Sequence, residues 1–122
     1  MGYVYVKGLL GDPTRRRIRE VKFLADTGAG YVGLHPKLAE ELGLTSVGKT
    51  KVVVADNRVI EVDVTPVYVK VLDREAIVLA AIIESPEPLL GAFTLEVLGL
   101  AVDTSAGEVK STRAFTMMLS VS

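Results

Sequence analysis

Residues 23–29 read Phe23-Leu24-Ala25-Asp26-Thr27-Gly28-Ala29. The stretch Ile18 to Ala25 has the β-branched and aromatic content of a strand, and it ends on a carboxylate. Gly28 allows the backbone to approach that carboxylate closely. Its amide could then hydrogen-bond the carboxylate, as could the Thr27 hydroxyl. An Asp-Thr-Gly tripeptide also arises by chance as an ordinary turn, so its meaning depends on what surrounds it.

The surroundings read mostly as strand. Tyr3 to Val6 is β-branched and aromatic, and Gly11-Asp12-Pro13 turns the chain before Ile18. Lys51–Ala55 and Val59–Val64 flank Asp56-Asn57-Arg58, a hairpin turn in which Asn tolerates the left-handed backbone. Val67 to Val71 alternates at period two and is expected as a separate strand. Asp73-Arg74 then turns into the apolar run Ala76–Ile83. Two short helices are expected. Pro36 to Leu42 starts on proline with Gly43 past its end, and Ala92 to Leu98 is followed by Gly99. Both end alike, Leu42-Gly43-Leu44 and Leu98-Gly99-Leu100, which suggests a weak internal duplication of a strand–turn–helix unit.

Two other motifs overlap this region. Gly28-Ala29-Gly30-Tyr31-Val32-Gly33 spells the dinucleotide-binding glycine pattern. That pattern needs a helix beginning inside the glycines, and Pro36 disfavours it. Gly43 to Thr50 spells a P-loop, but a helix precedes it and the β-branched run Val52-Val53-Val54 follows, the reverse of the required order. The expected reading is a helix cap at Gly43 and a solvent-facing Lys49.

Composition narrows the chemistry. The 122 residues carry a net charge of −1, with 49% hydrophobic and 24% charged, which fits one globular domain over residues 1–122. Near-zero net charge argues against a nucleic-acid partner. The Arg15-Arg16-Arg17 and Arg19 cluster reads as a solvated hairpin tip. Cysteine is absent, which removes disulfides, thiolate zinc sites and thiol nucleophiles. The single histidine, His35, is expected as an exposed residue before the first helix. Asp63, Asp73 and Asp103 form no Asp-x-Asp-x-Asp-Gly loop, so neither metal nor cofactor is expected. The start Met1 to Lys7 lacks a basic region followed by a long apolar one. Ala76–Ile83 is far short of the roughly 20 residues that span a bilayer. A soluble, cytoplasmic chain with no membrane partner is expected.

Four features then occur in one order: Asp26-Thr27-Gly28-Ala29, the helix ending Leu42-Gly43-Leu44, the Val54-Ala55-Asp56-Asn57-Arg58 hairpin, and Pro88-Leu89-Leu90-Gly91 before a helix. Over residues 18 to 110 this order resembles the retropepsin-like aspartic proteases, in particular their small stand-alone prokaryotic members. The resemblance implies an all-β closed acid-protease barrel with one or two short helices and an active site at a homodimer interface. It implies Asp26 as the catalytic carboxylate, Thr27 as the link between the active-site loops of two protomers, and Gly28 as part of that loop. Ala29, Gly30 and the flap residues Ala55, Asp56, Asn57 and Arg58 would meet substrate. Leu89, Leu90 and Gly91 would brace the loop. The sequence departs from the pattern in the glycines at 30 and 33, in Ala92 where many viral members are polar or basic, and in Asn57 where glycine is frequent.

Hydrolysis by this chemistry takes two carboxylates sharing one proton. Asp103-Thr104-Ser105 is a poor second half-site, because Ser105 replaces the glycine and no apolar-apolar-Gly turn follows. Residues 103–107 read better as a hairpin turn between Leu100–Val102 and Glu108–Lys110. The second carboxylate is therefore expected from Asp26 of another copy across a two-fold axis. An extended peptide or protein substrate is implied, added like a strand. Leu24, Val32, Ile82 and Leu89 are apolar enough to line pockets, but most such residues are simply core. Residues 111–122 lie beyond the resemblance, with core and dimer interface both open. The alternatives are a catalytically silent peptide-binding module of the same fold and, third, a nucleotide-binding protein.

Overall fold

The first hairpin shows how local chemistry builds the architecture. Strand β1 (Val4–Gly11) runs antiparallel to β2 (Ile18–Asp26), in register from Val4 opposite Ala25 to Gly11 opposite Ile18. Asp12 closes the turn by accepting the Arg17 amide at 2.7 Å. The computed structural model describes residues 3–54 and 56–112. Next come β3 (Val32–Leu34), α1 (Pro36–Glu41), β4 (Gly48–Val53), β5 (Val59–Val71) and β6 (Arg74–Ile82). The described chain ends with β7 (Leu89–Gly91), α2 (Ala92–Leu98), β8 (Leu100–Asp103) and β9 (Glu108–Ser111).

The large sheet is ordered β1-β2-β7-β3-β6-β5-β4, and β1 also pairs with β5. That last pairing closes β1, β2, β7, β3, β6 and β5 into a ring and leaves β4 outside it. The all-β closed barrel with two short helices is thus the observed fold. Within it Leu10, Phe23, Val32, Leu34, Val67, Val69, Val71, Leu90 and Leu98 are fully buried. The apolar area they remove from water is the main drive for closure.

β5 corrects the expectation of two strands. It runs unbroken for 13 residues, through Pro66. On one edge β6 pairs with it from Asp63 to Val71. On the other, β4 reaches Val64 and β1 begins at Tyr68. Pro66 falls in the gap between those two partners, where a missing N–H breaks no ladder.

Both helices end on a left-handed glycine, Gly43 at φ 67° and Gly99 at φ 66°. The similar endings anticipated from sequence are therefore similar in conformation. Arg74, nearly buried, donates to the carbonyls of Leu98 and Gly99 at 3.2 and 2.9 Å. Those are the orphan acceptors of the α2 terminus, so the cation anchors the helix to β6. His35 is not the exposed bystander expected. It is half-buried and caps α1, its Nδ1 accepting the Lys37 amide at 3.0 Å.

The arginine cluster lies at the exposed β1–β2 tip, but three of its members reach back. Arg15 pairs with Glu75 and sits 5.3 Å over the Tyr68 ring, Arg17 donates to the Glu41 carbonyl, and Arg19 pairs with the Glu41 carboxylate. This shields Tyr68, which is buried within β5.

Candidate active site

Asp26 is the last residue of β2, and β7 lies beside it in parallel, with Leu24 opposite Leu89, Ala25 opposite Leu90 and Asp26 opposite Gly91. The Leu24 amide donates to the Pro88 carbonyl at 2.9 Å, which continues the pairing one step back. The sequence thus brings Leu89-Leu90-Gly91 directly behind the Asp26 loop. Leu90 is fully buried and locks β7 into the core.

The loop is then tied from both sides. The Gly28 amide donates to Asp26 Oδ1 at 2.9 Å, and the Ala29 amide donates to the Asp26 carbonyl at 3.1 Å. From behind, the first two amides of α2 donate into the loop, Ala92 to the Ala29 carbonyl at 2.7 Å and Phe93 to the Gly30 carbonyl at 3.0 Å. Gly91 has no room for a side chain. A Cβ there would overlap the Tyr31 carbonyl and lie 2.6 Å from the Gly30 carbonyl carbon. The apolar-apolar-Gly turn therefore braces the loop because its glycine lets two backbones touch.

The carboxylate is left available for chemistry. Asp26 is half-buried and Thr27 and Gly28 are exposed. Among the described residues, only the Gly28 amide hydrogen-bonds the carboxylate, and it does so through Oδ1. A surface cavity of about 290 Å³ lined by His35, Lys37, Leu38, Glu41 and residues 85–88 includes none of the loop's residues.

The second Asp-Thr sequence is built differently. Asp103 Oδ1 accepts from the Ser105 amide at 3.1 Å, the Ser105 hydroxyl at 2.7 Å and the Ala106 amide at 3.0 Å. Lys110 Nζ lies 2.8 Å from Oδ2. The Lys110 and Ser105 hydrogen bonds hold this carboxyl far below the usual carboxylate range. Residues 103–107 form the β8–β9 hairpin turn, as the sequence suggested.

The other expected site residues lie on the β4–β5 hairpin. Val53 and Val59 are opposite each other and both are exposed. Asn57 takes the left-handed conformation at φ 65°. Val54 donates to the Arg58 carbonyl, Asn57 donates to the Val54 carbonyl, and Arg58 Nε is 2.6 Å from Asp56 Oδ2. These bonds are internal to the tip. Ala55 lies outside the described residues, as do 113–122 of the expected C-terminal segment. Thr112 is the last described residue, and its amide donates to the Gly99 carbonyl at 2.7 Å.

Of the four apolar residues weighed between pocket and core, Val32 is wholly buried in the core, whereas Leu24, Ile82 and Leu89 are half-buried. Neither nucleotide motif has its required context. Gly28–Gly33 leads into β3 with no helix, and Lys49 lies in β4 paired with Asp63. The sequence also gave no notice of the Ala92 and Phe93 amide bonds, because they join residues about sixty positions apart.

The aspartyl protease family model matches residues 6–94, a span that contains the Asp26 loop, the β4–β5 hairpin and β7. Among solved structures, the EIAV protease complexed with the inhibitor HBY-793 superposes with a TM-score of 0.62 at 23% identity. The match covers 80% of this chain and 89% of that one. No curated protein matches the chain.

Proposed function

The chain belongs to the retropepsin-like aspartyl proteases, and from that premise we propose that it is a homodimeric endopeptidase with one Asp26 from each protomer in a single active site. The observation that carries the reading is Asp26 itself. Its carboxylate stands on a braced loop and, among the described residues, is held through one oxygen only.

Two such carboxylates facing each other cannot both ionise easily, the established pattern for aspartic proteases. The ionised partner takes a proton from a water as that water attacks the peptide carbonyl. The protonated partner donates to the oxygen on which negative charge develops. The proton then passes to the leaving amine, and the pair returns to its singly protonated state. The two ionisations belong to the pair, so the rate falls at both more acidic and more basic pH.

A second copy supplies the second acid because this chain's other Asp-Thr sequence is committed to its own turn and to Lys110. In this reading Thr27 meets its counterpart across the two-fold axis. The β4–β5 hairpin serves as the flap that covers an extended peptide, with Ala29, Gly30 and the tip residues Ala55, Asp56, Asn57 and Arg58 against it.

The test is cleavage of a peptide library, read by mass spectrometry from acid to neutral pH, by wild type and Asp26→Asn in parallel. Cuts made by wild type alone are expected. Identical cuts by both proteins would overturn the assignment of Asp26. No cuts by a confirmed wild-type dimer would return the chain to the silent peptide-binding class.

A further inference from the structure

Helix α2 braces the catalytic loop at one end and meets β6 at the other. The Phe93 amide holds the Gly30 carbonyl, and the Phe93 ring meets Tyr31 edge-on, with centroids 6.2 Å apart. Tyr31 directly precedes Val32, which lies opposite Ala80 of β6, so this end of the helix is level with Leu79. At the far end Arg74, the first residue of β6, donates to the Leu98 and Gly99 carbonyls. The helix therefore runs alongside β6 from Leu79 back to Arg74. Among the described residues β5 is the only strand paired with β6 over residues 74–79, and α2 flanks the other edge.

Both elements turn apolar side chains outward here. Ala76, Val78 and Ala80 face the core, which leaves Ile77 and Leu79 on the outer side of the strand, 52% and 44% exposed. On the helix Thr94, Leu95 and Leu98 are buried. Phe93 and Val97, four residues apart, share its open face at 60% and 51% exposed. Four large apolar side chains thus adjoin on the outside of the brace, the kind of patch that marks a contact.

The chain itself supplies a fitting occupant. Thr112 is held at the corner where α2 and β6 meet. Its amide and hydroxyl both donate to the Gly99 carbonyl, at 2.7 and 2.9 Å, and Arg74 donates to the same oxygen. Arg113 to Ser122 follow directly, with Phe115, Met117, Leu119 and Val121 at alternate positions and no charge after Arg113. An extended segment presents those four to one side. Ten extended residues reach about 33 Å, whereas α2 is about 10 Å long, so the segment can cross the whole patch. Its one charge is also matched. Glu96 is exposed on α2, three residues before Gly99, and has no ion pair among the described residues.

We propose that residues 113–122 fold back over α2 and β6 of their own chain, with Phe115, Met117 and Leu119 covering Phe93, Val97, Ile77 and Leu79 and with Arg113 against Glu96. Apolar area on both sides leaves water, and the tether at Thr112 makes the contact intramolecular. Because the α2 amides hold the catalytic loop, the cover steadies the brace as well as the patch. The inference does not depend on the endopeptidase reading.

The chain has no cysteine, so pairs can be placed in the full-length protein. Val97→Cys with Met117→Cys is treated with a short bis-maleimide. The comparison is Met117→Cys with Val53→Cys, at the exposed end of β4. The first pair should cross-link within one chain, running as a monomer on a denaturing gel, at about tenfold the yield of the second. Equal yields overturn the proposal. So do cross-links that join two chains, which would assign the segment to a protomer contact. A second measurement needs no cross-link. Maleimide labelling of Val97→Cys alone should speed up severalfold when Phe115→Asp is added to a chain that keeps its circular dichroism. An unchanged labelling rate would mean that the segment does not cover α2, and would also overturn the proposal.

Discussion

The chain contains two Asp-Thr sequences, and their carboxylates have opposite fates. Asp103 accepts three hydrogen bonds within its turn and pairs with Lys110. Among the described residues Asp26 accepts one at its carboxylate, from the Gly28 amide. The satisfied acid is a structural part, fixed in its ionised form. The less satisfied acid has, among the described residues, no partner on Oδ2, which in the proposed reading meets water and proton. One residue accounts for much of the contrast. Ser105 brings a hydroxyl to its aspartate, whereas Gly28 brings only backbone. The supports differ as well, since the Asp26 loop is braced from behind by β7 and α2.

The largest effect should come from exchanging the acids themselves. Asp26→Asn is expected to lower kcat by at least roughly a thousandfold, because no carboxylate pair then shares a proton. Asp103→Asn in the same peptide assay should cleave like wild type, and a comparable loss there would break the comparison. Gly91→Ala attacks the brace. Its Cβ would overlap backbone that cannot move aside, so a stability loss of about 1–3 kcal/mol is expected by denaturant unfolding, together with lost cleavage.

Gly28→Ser converts the first sequence toward the second. A Cβ at Gly28 meets only Asp26 Oδ1, at 3.2 Å, so the fold should hold. The added hydroxyl should stabilise the ionised acid, lower kcat about tenfold and move the acidic limb of the pH–rate profile to lower pH. The smallest effect is the stability change of Asp103→Asn, read as Tm against pH. The folded state lowers the proton affinity of Asp103 below its ordinary 3.8. Its contribution is therefore complete above that value and is lost as pH falls toward the lowered one. The Tm gap between wild type and variant should be small at neutral pH and should close in acid.

Much of this contrast was legible in the sequence. The strand into Asp26, the glycine after it, the serine at 105 and the helix-ending glycines 43 and 99 all act through neighbours, and local chemistry is what a sequence displays. What it hid was non-local. The continuity of β5 is hidden because the gap between β4 and β1 that tolerates Pro66 is made by residues far away in sequence. The Lys110 pairing of Asp103, the amide bonds from α2 into the loop and the Tyr31–Phe93 contact are hidden for the same reason. His35 was misjudged for a local reason, since a histidine before proline gives little sign of capping.

The most direct test of the shared site is subunit mixing. A fixed amount of wild type is re-associated with increasing Asp26→Asn, and peptide cleavage is followed. If each active site takes one Asp26 from each protomer, hybrids are dead and activity falls to about half at equal amounts, then further with excess variant. Activity that stays constant while hybrid dimers form would mean that each chain holds a complete site, and would contradict the account.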